Sequence, residues 1–209
     1  MLKFQLEAIT WMGQQEENPR WRGGILADDM GMGKTLQAIA LLLKRKAPED
    51  SKVRATLVVC PVVALTQWQN EIEKYTKPNS LKVTVYHGSS RITDGEELVK
   101  YDVILTSYSV IETEYRHQQT GYKRKGELIK KDSLLHSVEY YRIILDEAHS
   151  IKDRNCNTAK AAFNLNATYR WCLSGTPLTN RIGELHSLVK FLRVTPYSYF
   201  YCKKCDCKR

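Results

Sequence analysis

No stretch of this chain is apolar for long enough to cross a bilayer. The longest run, "AIALLL" at residues 38–43, falls far short of the ~18 residues a spanning helix needs. Nor does any segment read as a secretory signal. Cysteine is sparse: of the six, Cys60, Cys156 and Cys172 stand far apart, two of them inside apolar runs. That spacing excludes a disulfide framework and fits ordinary thiols of a reducing compartment. Acid is in deficit, with 23 Asp and Glu against 32 Lys and Arg, a formal net charge of +9. Such an excess points to a polyanionic partner, nucleic acid or an anionic membrane, and leaves the fold undecided. There is no internal repeat and no low-complexity tract, which excludes a solenoid.

What is present suits one large α/β domain: 209 residues, 43% of them hydrophobic, can bury a substantial core. The opening "LKFQLEAITWMGQQEE" sets Leu2, Leu6, Ile9 and Met12 on a helical stripe that ends at Asn18-Pro19. Short apolar runs then alternate with helical patterns. "GGILAD", "ATLVVCP", "LKVTVYH", "YDVILTSY", "YYRIILDEAH" and "RWCLSGTP" have the length and β-branched content of buried strands. "KTLQAIALLLKRK", "ALTQWQNEIEKY", "GEELVK", "NTAKAAFNL" and "IGELHSLVKFL" have helical spacing. The alternation predicts a mostly parallel central sheet with helices on both faces. Sheets of this kind bind ligands beyond the carboxyl ends of their strands, where "ADDMGMGKT", "DEAH" and "SGTP" fall. Residues 114–136 break the pattern with many cations and little periodicity. They read as an exposed insertion that either touches a nucleic-acid backbone or is a solvated loop.

"GGILADDMGMGKT" has the outline of a phosphate loop, although the usual pattern has glycine where this chain has Asp28. A strand entering a glycine-bearing turn and then a helix aims backbone N–H groups and the positive helix end at an anion. In that role Asp29, Met30, Gly31, Met32 and Gly33 form the cradle, Lys34 reaches the β and γ oxygens and Thr35 holds Mg²⁺. Asp28 precedes the tight part of the turn and is expected to face away from phosphate. A second motif supports the first: "IILDEAH" ends an apolar strand on two adjacent carboxylates, which call for a cation. Asp146 is then the second Mg²⁺ residue, and Glu147 orients and deprotonates the water that attacks the γ-phosphate.

Taken in order, "DDMGMGKT", "LDEAH" and "LSGTPLTN" resemble motifs I, II and III of superfamily two helicase-like ATPases of the Swi/Snf type, double-stranded DNA translocases. The resemblance implies a three-layer RecA-like lobe, with ATP and Mg²⁺ as ligands and double-stranded or nucleosomal DNA as partner. That family typically has Asp at the position of Asp28; it commonly has Glu where this chain has Asp29, and an amide residue where it has Thr179. "LKFQLEAITWM" resembles the Q motif, implying that Gln5 reads adenine. "VVCPVVALTQWQNEI" and "ILTSYSVI" resemble motifs Ia and Ib, implying that Thr106 and Tyr108 face DNA. "SGTP" implies that Ser174 and Thr176 couple hydrolysis to strand contact, with His149 and Lys152 as further DNA or coupling residues.

"YHGSSR", "GYKRKGELIKK" and the C-terminal stretch resemble the Rad-sixteen-like nucleotide-excision-repair subgroup, implying a nuclear protein with repair-complex partners. The expected organisation is a first lobe over 1–195, containing the basic insertion 114–136, and the start of a zinc-binding insertion over 196–209. Cys202, Cys205 and Cys207 offer three thiolates where a closed zinc site takes four, so Zn²⁺ is expected only with ligands supplied from elsewhere. Motifs IV to VI and their arginine finger have no counterpart here. The chain alone is therefore expected to bind ATP and hydrolyse it poorly, completing its site with a second lobe of the same protein. An RNA-helicase lobe, or a non-enzymatic scaffold presenting a zinc module, are the competing readings; "SGTP" favours DNA, and the full set of chemical residues disfavours the scaffold.

Overall fold

The computed structural model describes residues 1–48, 51, 53–89, 91–124, 127–177 and 182–198. In chain order the elements are α1 (Lys3–Glu17), β1 (Gly23–Leu26), α2 (Lys34–Lys44), β2 (Thr56–Cys60), α3 (Ala64–Tyr75), β3 (Val83–Val85), α4 (Gly95–Leu98), β4 (Val103–Ser107) and α5 (Tyr108–Thr120). There follow β5 (Tyr122–Arg124), β6 (Glu127–Ile129), α6 (Leu134–Ser137), β7 (Glu139–Leu145), a 3₁₀ turn at Ala148–Ile151, α7 (Asn157–Asn164), β8 (Asn166–Leu173) and α8 (Ile182–Phe191).

Six strands form one sheet in the order β1-β8-β7-β2-β4-β3, every neighbouring pair parallel. Each of the six apolar runs supplies one of these strands. They read as nearly continuous hydrophobic segments because both faces are covered. Leu57, Val59, Ile104, Ile143, Leu145 and Cys172 point into a core shared with α5, α7 and α8. Their alternate neighbours Val58, Cys60, Val103, Leu105, Ile144, Trp171 and Leu173 point into a second core built with α2 and α3. The alternation is the period of two of a pleated strand, and a slip of one residue would exchange the two cores. Burial raises the thiols of Cys60, to about 12 with the Asp146 charge adding, and of Cys172.

Two expectations change. The first helix does not bury the Leu2–Leu6 end of its stripe: these two are exposed, while the buried face runs Gln5, Ile9, Met12, Gly13 and Glu16. The register follows polar partners. Glu16 accepts from Arg142 Nε at 2.6 Å and Nη2 at 2.7 Å and from Trp171 Nε1 at 2.9 Å, with Arg45 Nε 3.4 Å away. A carboxylate with those donors is satisfied in the interior, whereas Leu6 on the outer face loses only apolar burial.

The second concerns residues 114–136. Their first part continues α5, which buries Tyr108, Val110 and Ile111 and ends at Gly121. A small antiparallel hairpin of β5 and β6 follows, and then α6. Glu114 ties the segment down, accepting from Tyr86 Oη at 2.7 Å and from Ser133 Oγ at 2.8 Å.

Candidate active site

β1, β8 and β7 are consecutive in the sheet, with Leu26 level with Leu173, and Leu145 level with Cys172. Two strand spacings amount to about 10 Å. The segments leaving these strands, residues 27–33, 174–177 and 146–147, therefore open side by side on one edge. Their mutual contacts bear this out. A Cβ built on Gly175 would lie 2.9 Å from Met30 Cγ, 3.3 Å from Met30 N and 3.6 Å from Lys34 Nζ, so the "SGTP" turn leans on the loop with little space between them. Burial raises the Asp146 carboxyl, and Lys34 is near enough for its charge to oppose that rise in small part.

Inside the loop the carbonyls are held by side chains. Lys34 Nζ donates to the carbonyls of Asp28 at 2.8 Å and Asp29 at 3.0 Å. The Met32 carbonyl accepts from Gln5 Nε2 at 3.1 Å and Gln37 Nε2 at 3.3 Å. With the carbonyls so engaged, the N–H groups of Gly31 and Gly33 donate to no carbonyl among the described residues, and the first N–H groups of α2 have no intrahelical acceptor. Gly33 caps that helix at φ 79°, a left-handed backbone, and a Cβ there would lie 2.8 Å from Gln5 Nε2. A Cβ on Gly31 would meet nothing within 4 Å. The open space, the freed donors and the positive helix end fit a phosphate chain. The Asp28 side chain is turned back, as expected, but its partner is the Gln37 amide at 2.9 Å rather than a loop N–H.

The acidic pair is built with equal care. Asp146 Oδ2 accepts from Trp68 Nε1 at 2.7 Å and Oδ1 from Glu147 N at 3.0 Å; its carbonyl accepts from Tyr108 Oη at 2.7 Å. Burial raises the Asp146 carboxyl above the usual range, the Trp68 bond opposes that, and the neighbouring Glu147 charge adds to it. A cation beside two such carboxylates is the natural complement. Glu147 sits at φ 47°, ψ 54°, a left-handed conformation that costs a non-glycine residue about 1–3 kcal/mol and that clusters at working sites. Its Oε2 lies 3.2 Å from His149 Nδ1. The donor set of Thr35, in the first turn of α2, with Asp146 and Glu147 fits Mg²⁺ in its chemistry: hard oxygens in small number.

The remaining candidates are placed unevenly. Asp29, Met30 and Met32 are exposed along the loop, as are His149, Lys152 and Thr176 near the same edge. Ser174 is buried, its Oγ accepting from Thr176 N at 3.2 Å. Gln5 has one bond at each end of its amide, Oε1 with Leu2 N at 2.9 Å and Nε2 with the loop, which makes it a strut beneath the phosphate loop and leaves one donor and one acceptor of the amide over. Thr106 is fully buried, donating to the Tyr86 carbonyl, and Tyr108 is nearly so. Thr106 lies near the end of β4 and Tyr108 opens α5 directly after it. Trp68, on α3, was not singled out by its sequence; an apolar helix stripe hides an indole whose N–H has a partner far along the chain. Thr179, Cys202, Cys205 and Cys207 lie outside the described residues.

The profile of the SNF2-related domain matches residues 4–202. ATP-dependent helicase rhp16 of Schizosaccharomyces pombe is 54% identical over 208 residues, 100% of this chain and 23% of that protein. DNA repair protein RAD5B of Arabidopsis thaliana is 38% identical, over 84% of this chain and 15% of that protein. The solved Sulfolobus solfataricus SWI2/SNF2 ATPase core in complex with dsDNA superposes with a TM-score of 0.70 at 31% identity, covering 94% of this chain and 37% of that one. The chain thus spans about a quarter or less of the length of these curated relatives.

Proposed function

The chain belongs to the SNF2-related family, and from that membership we propose that it is the ATP-binding lobe of an ATP-dependent double-stranded DNA translocase acting in DNA repair or chromatin remodelling. Nucleotide-excision repair, in the nucleus and among repair-complex proteins, is the setting suggested by likeness to the Rad-sixteen-like subgroup. Residues 1–195 are read as the first lobe, and 196–209 as the start of a zinc-binding insertion. The observation that carries the proposal is the meeting of the Lys34 loop, the Asp146–Glu147 pair and the Gly175 turn at one sheet edge.

In this reading the N–H groups from Gly31 to Thr35 and the Lys34 ammonium bind the β- and γ-phosphates of ATP, and Thr35 and Asp146 hold Mg²⁺. The metal supplies neutralisation of charge on the phosphate oxygens. Glu147 accepts the proton of the attacking water, and its left-handed backbone with the His149 contact fixes where the carboxylate points. Ser174 and Thr176 pass changes at the γ-phosphate to the strand-facing edge, since Gly175 between them lies beside Met30 and Lys34. The exposed Lys152 and Thr176 contact phosphates of the duplex. Such contacts position without reading bases, so affinity falls steeply with salt and does not depend on sequence.

The test is ATP turnover by the full protein with duplex DNA, duplex RNA or neither. We expect duplex DNA to raise turnover at least about tenfold, in line with closure of the second lobe and its arginine over the phosphates, and RNA to leave it near basal. Equal stimulation by RNA would replace the DNA reading with the RNA-helicase one. No stimulation by either polymer would refute a translocase.

A further inference from the structure

Asp146 is gripped by two side chains that no motif-based reading assigns to the nucleotide site. Trp68 is 1% exposed, and its indole N–H donates to Asp146 Oδ2 at 2.7 Å across 78 residues of sequence. Tyr108 Oη donates to the Asp146 carbonyl at 2.7 Å. With Glu147 N on Oδ1, both carboxylate oxygens have one fixed donor each. Two protein donors on one carboxylate leave it a single orientation, which sets the direction of its remaining lone pairs.

The positions of these donors matter as much as the bonds. Trp68 lies on the second turn of α3, which begins where β2 ends, after Pro61 and the exposed Val62 and Val63. Tyr108 is the first residue of α5, which begins where β4 ends. β7, β2 and β4 are consecutive strands. Both donors therefore sit in helices that start on the same edge as the phosphate loop, within about 7 Å of that edge at 1.5 Å of rise per residue. Anything that presses on the starts of α3 and α5 shifts the partners of Asp146.

We propose that Trp68 and Tyr108 are positioning residues that orient the Asp146 carboxylate for Mg²⁺ and relay strand contact at the starts of α3 and α5 to it. The relay half rests on the reading above, that a duplex docks on this edge; the orienting half does not. Tyr108 then serves coupling from inside the domain, through its bond to the Asp146 carbonyl.

The experiment uses the full protein and its Trp68→Phe and Tyr108→Phe variants, with three readouts and a melting curve. The first is the Mg²⁺ concentration that half-saturates binding of a fluorescent, non-hydrolysable ATP analogue without DNA. Loss of a partner that orients a metal ligand typically weakens metal binding by about 10–100-fold, so Trp68→Phe is expected to raise that concentration on the order of tenfold or more, and Tyr108→Phe in the same direction by less. The second, duplex affinity, is expected to stay at the parent value. The third, stimulation of turnover by duplex, is expected to drop at least severalfold in both variants. A purely packing role would lower the melting temperature and leave the Mg²⁺ requirement where it was. A half-saturation within about twofold of the parent in both variants overturns the proposal, and a raised one with full stimulation overturns the relay. Should Trp68→Phe not fold, Tyr108→Phe, which removes one oxygen, decides alone. A parent protein without duplex stimulation would refute the translocase reading while the Mg²⁺ titration still decides the clamp.

Discussion

Glu147→Gln in the full protein is expected to lower ATP turnover by about 10²–10⁴, the usual contribution of a positioned general base, with Mg-ATP still bound at close to parental affinity. Glutamine keeps the shape and the left-handed backbone of the residue, so the loop, the His149 side and Asp146 stay in place. It removes only the ability to accept the proton of the attacking water. Lys34→Ala gives the opposite split. The ammonium that would meet the phosphates is gone, and so are its bonds to the Asp28 and Asp29 carbonyls, so binding itself fails together with turnover. Measuring analogue binding beside turnover separates the two variants. Parental turnover in both would remove Lys34 and Glu147 from the chemistry.

Glu16→Ala is expected to be the most destabilising of simple substitutions, and to act far from the nucleotide edge. Arg142 is level with Thr56 at the opening residue of β2, toward the amino ends of the strands. Glu16 and Arg142 have side chains 0% and 1% exposed, and the bidentate pair also takes the Trp171 N–H. Truncating the glutamate strands the guanidinium and the indole in the interior. Breaking a buried pair in this way costs about 3–5 kcal/mol. At about 2–4 °C per kcal/mol for a domain of this size, Tm should fall by roughly 6–20 °C. Replacing both partners by Met should recover much of the loss, because it leaves no buried charge behind. Thermal unfolding of the single and double variants checks this; a single-variant change under about 1 kcal/mol would show that Arg142 finds other partners.

Much of the architecture was legible in the sequence because its signals are local. Six β-branched runs gave six strands, and the run from Ala64 to Tyr75 gave a helix with those bounds, since burial on both faces writes itself into consecutive residues. The loops at Gly33, Asp146 and Ser174 were legible for the same reason: each motif is complete within a few residues. What stayed hidden depends on pairs distant in the chain. Glu16 looks like one more exposed acid at the end of a helix until Arg142, 126 residues later, is seen beside it. Trp68 looks like core for the same reason. α5 was obscured because its fully buried residues, Tyr108, Val110 and Ile111, all lie in its first turn, while the charged and polar residues that follow read as loop.

A crystal structure of the full protein with Mg²⁺ and a non-hydrolysable ATP analogue is expected to show a magnesium-bound triphosphate between the Lys34 loop and the Asp146–Glu147 pair. The β- and γ-phosphate oxygens should lie against Lys34 Nζ and the N–H groups of Gly31 to Thr35, with the metal between Thr35 and Asp146. A nucleotide bound elsewhere on the lobe, or a metal with no path to Asp146 even through water, would contradict this placement.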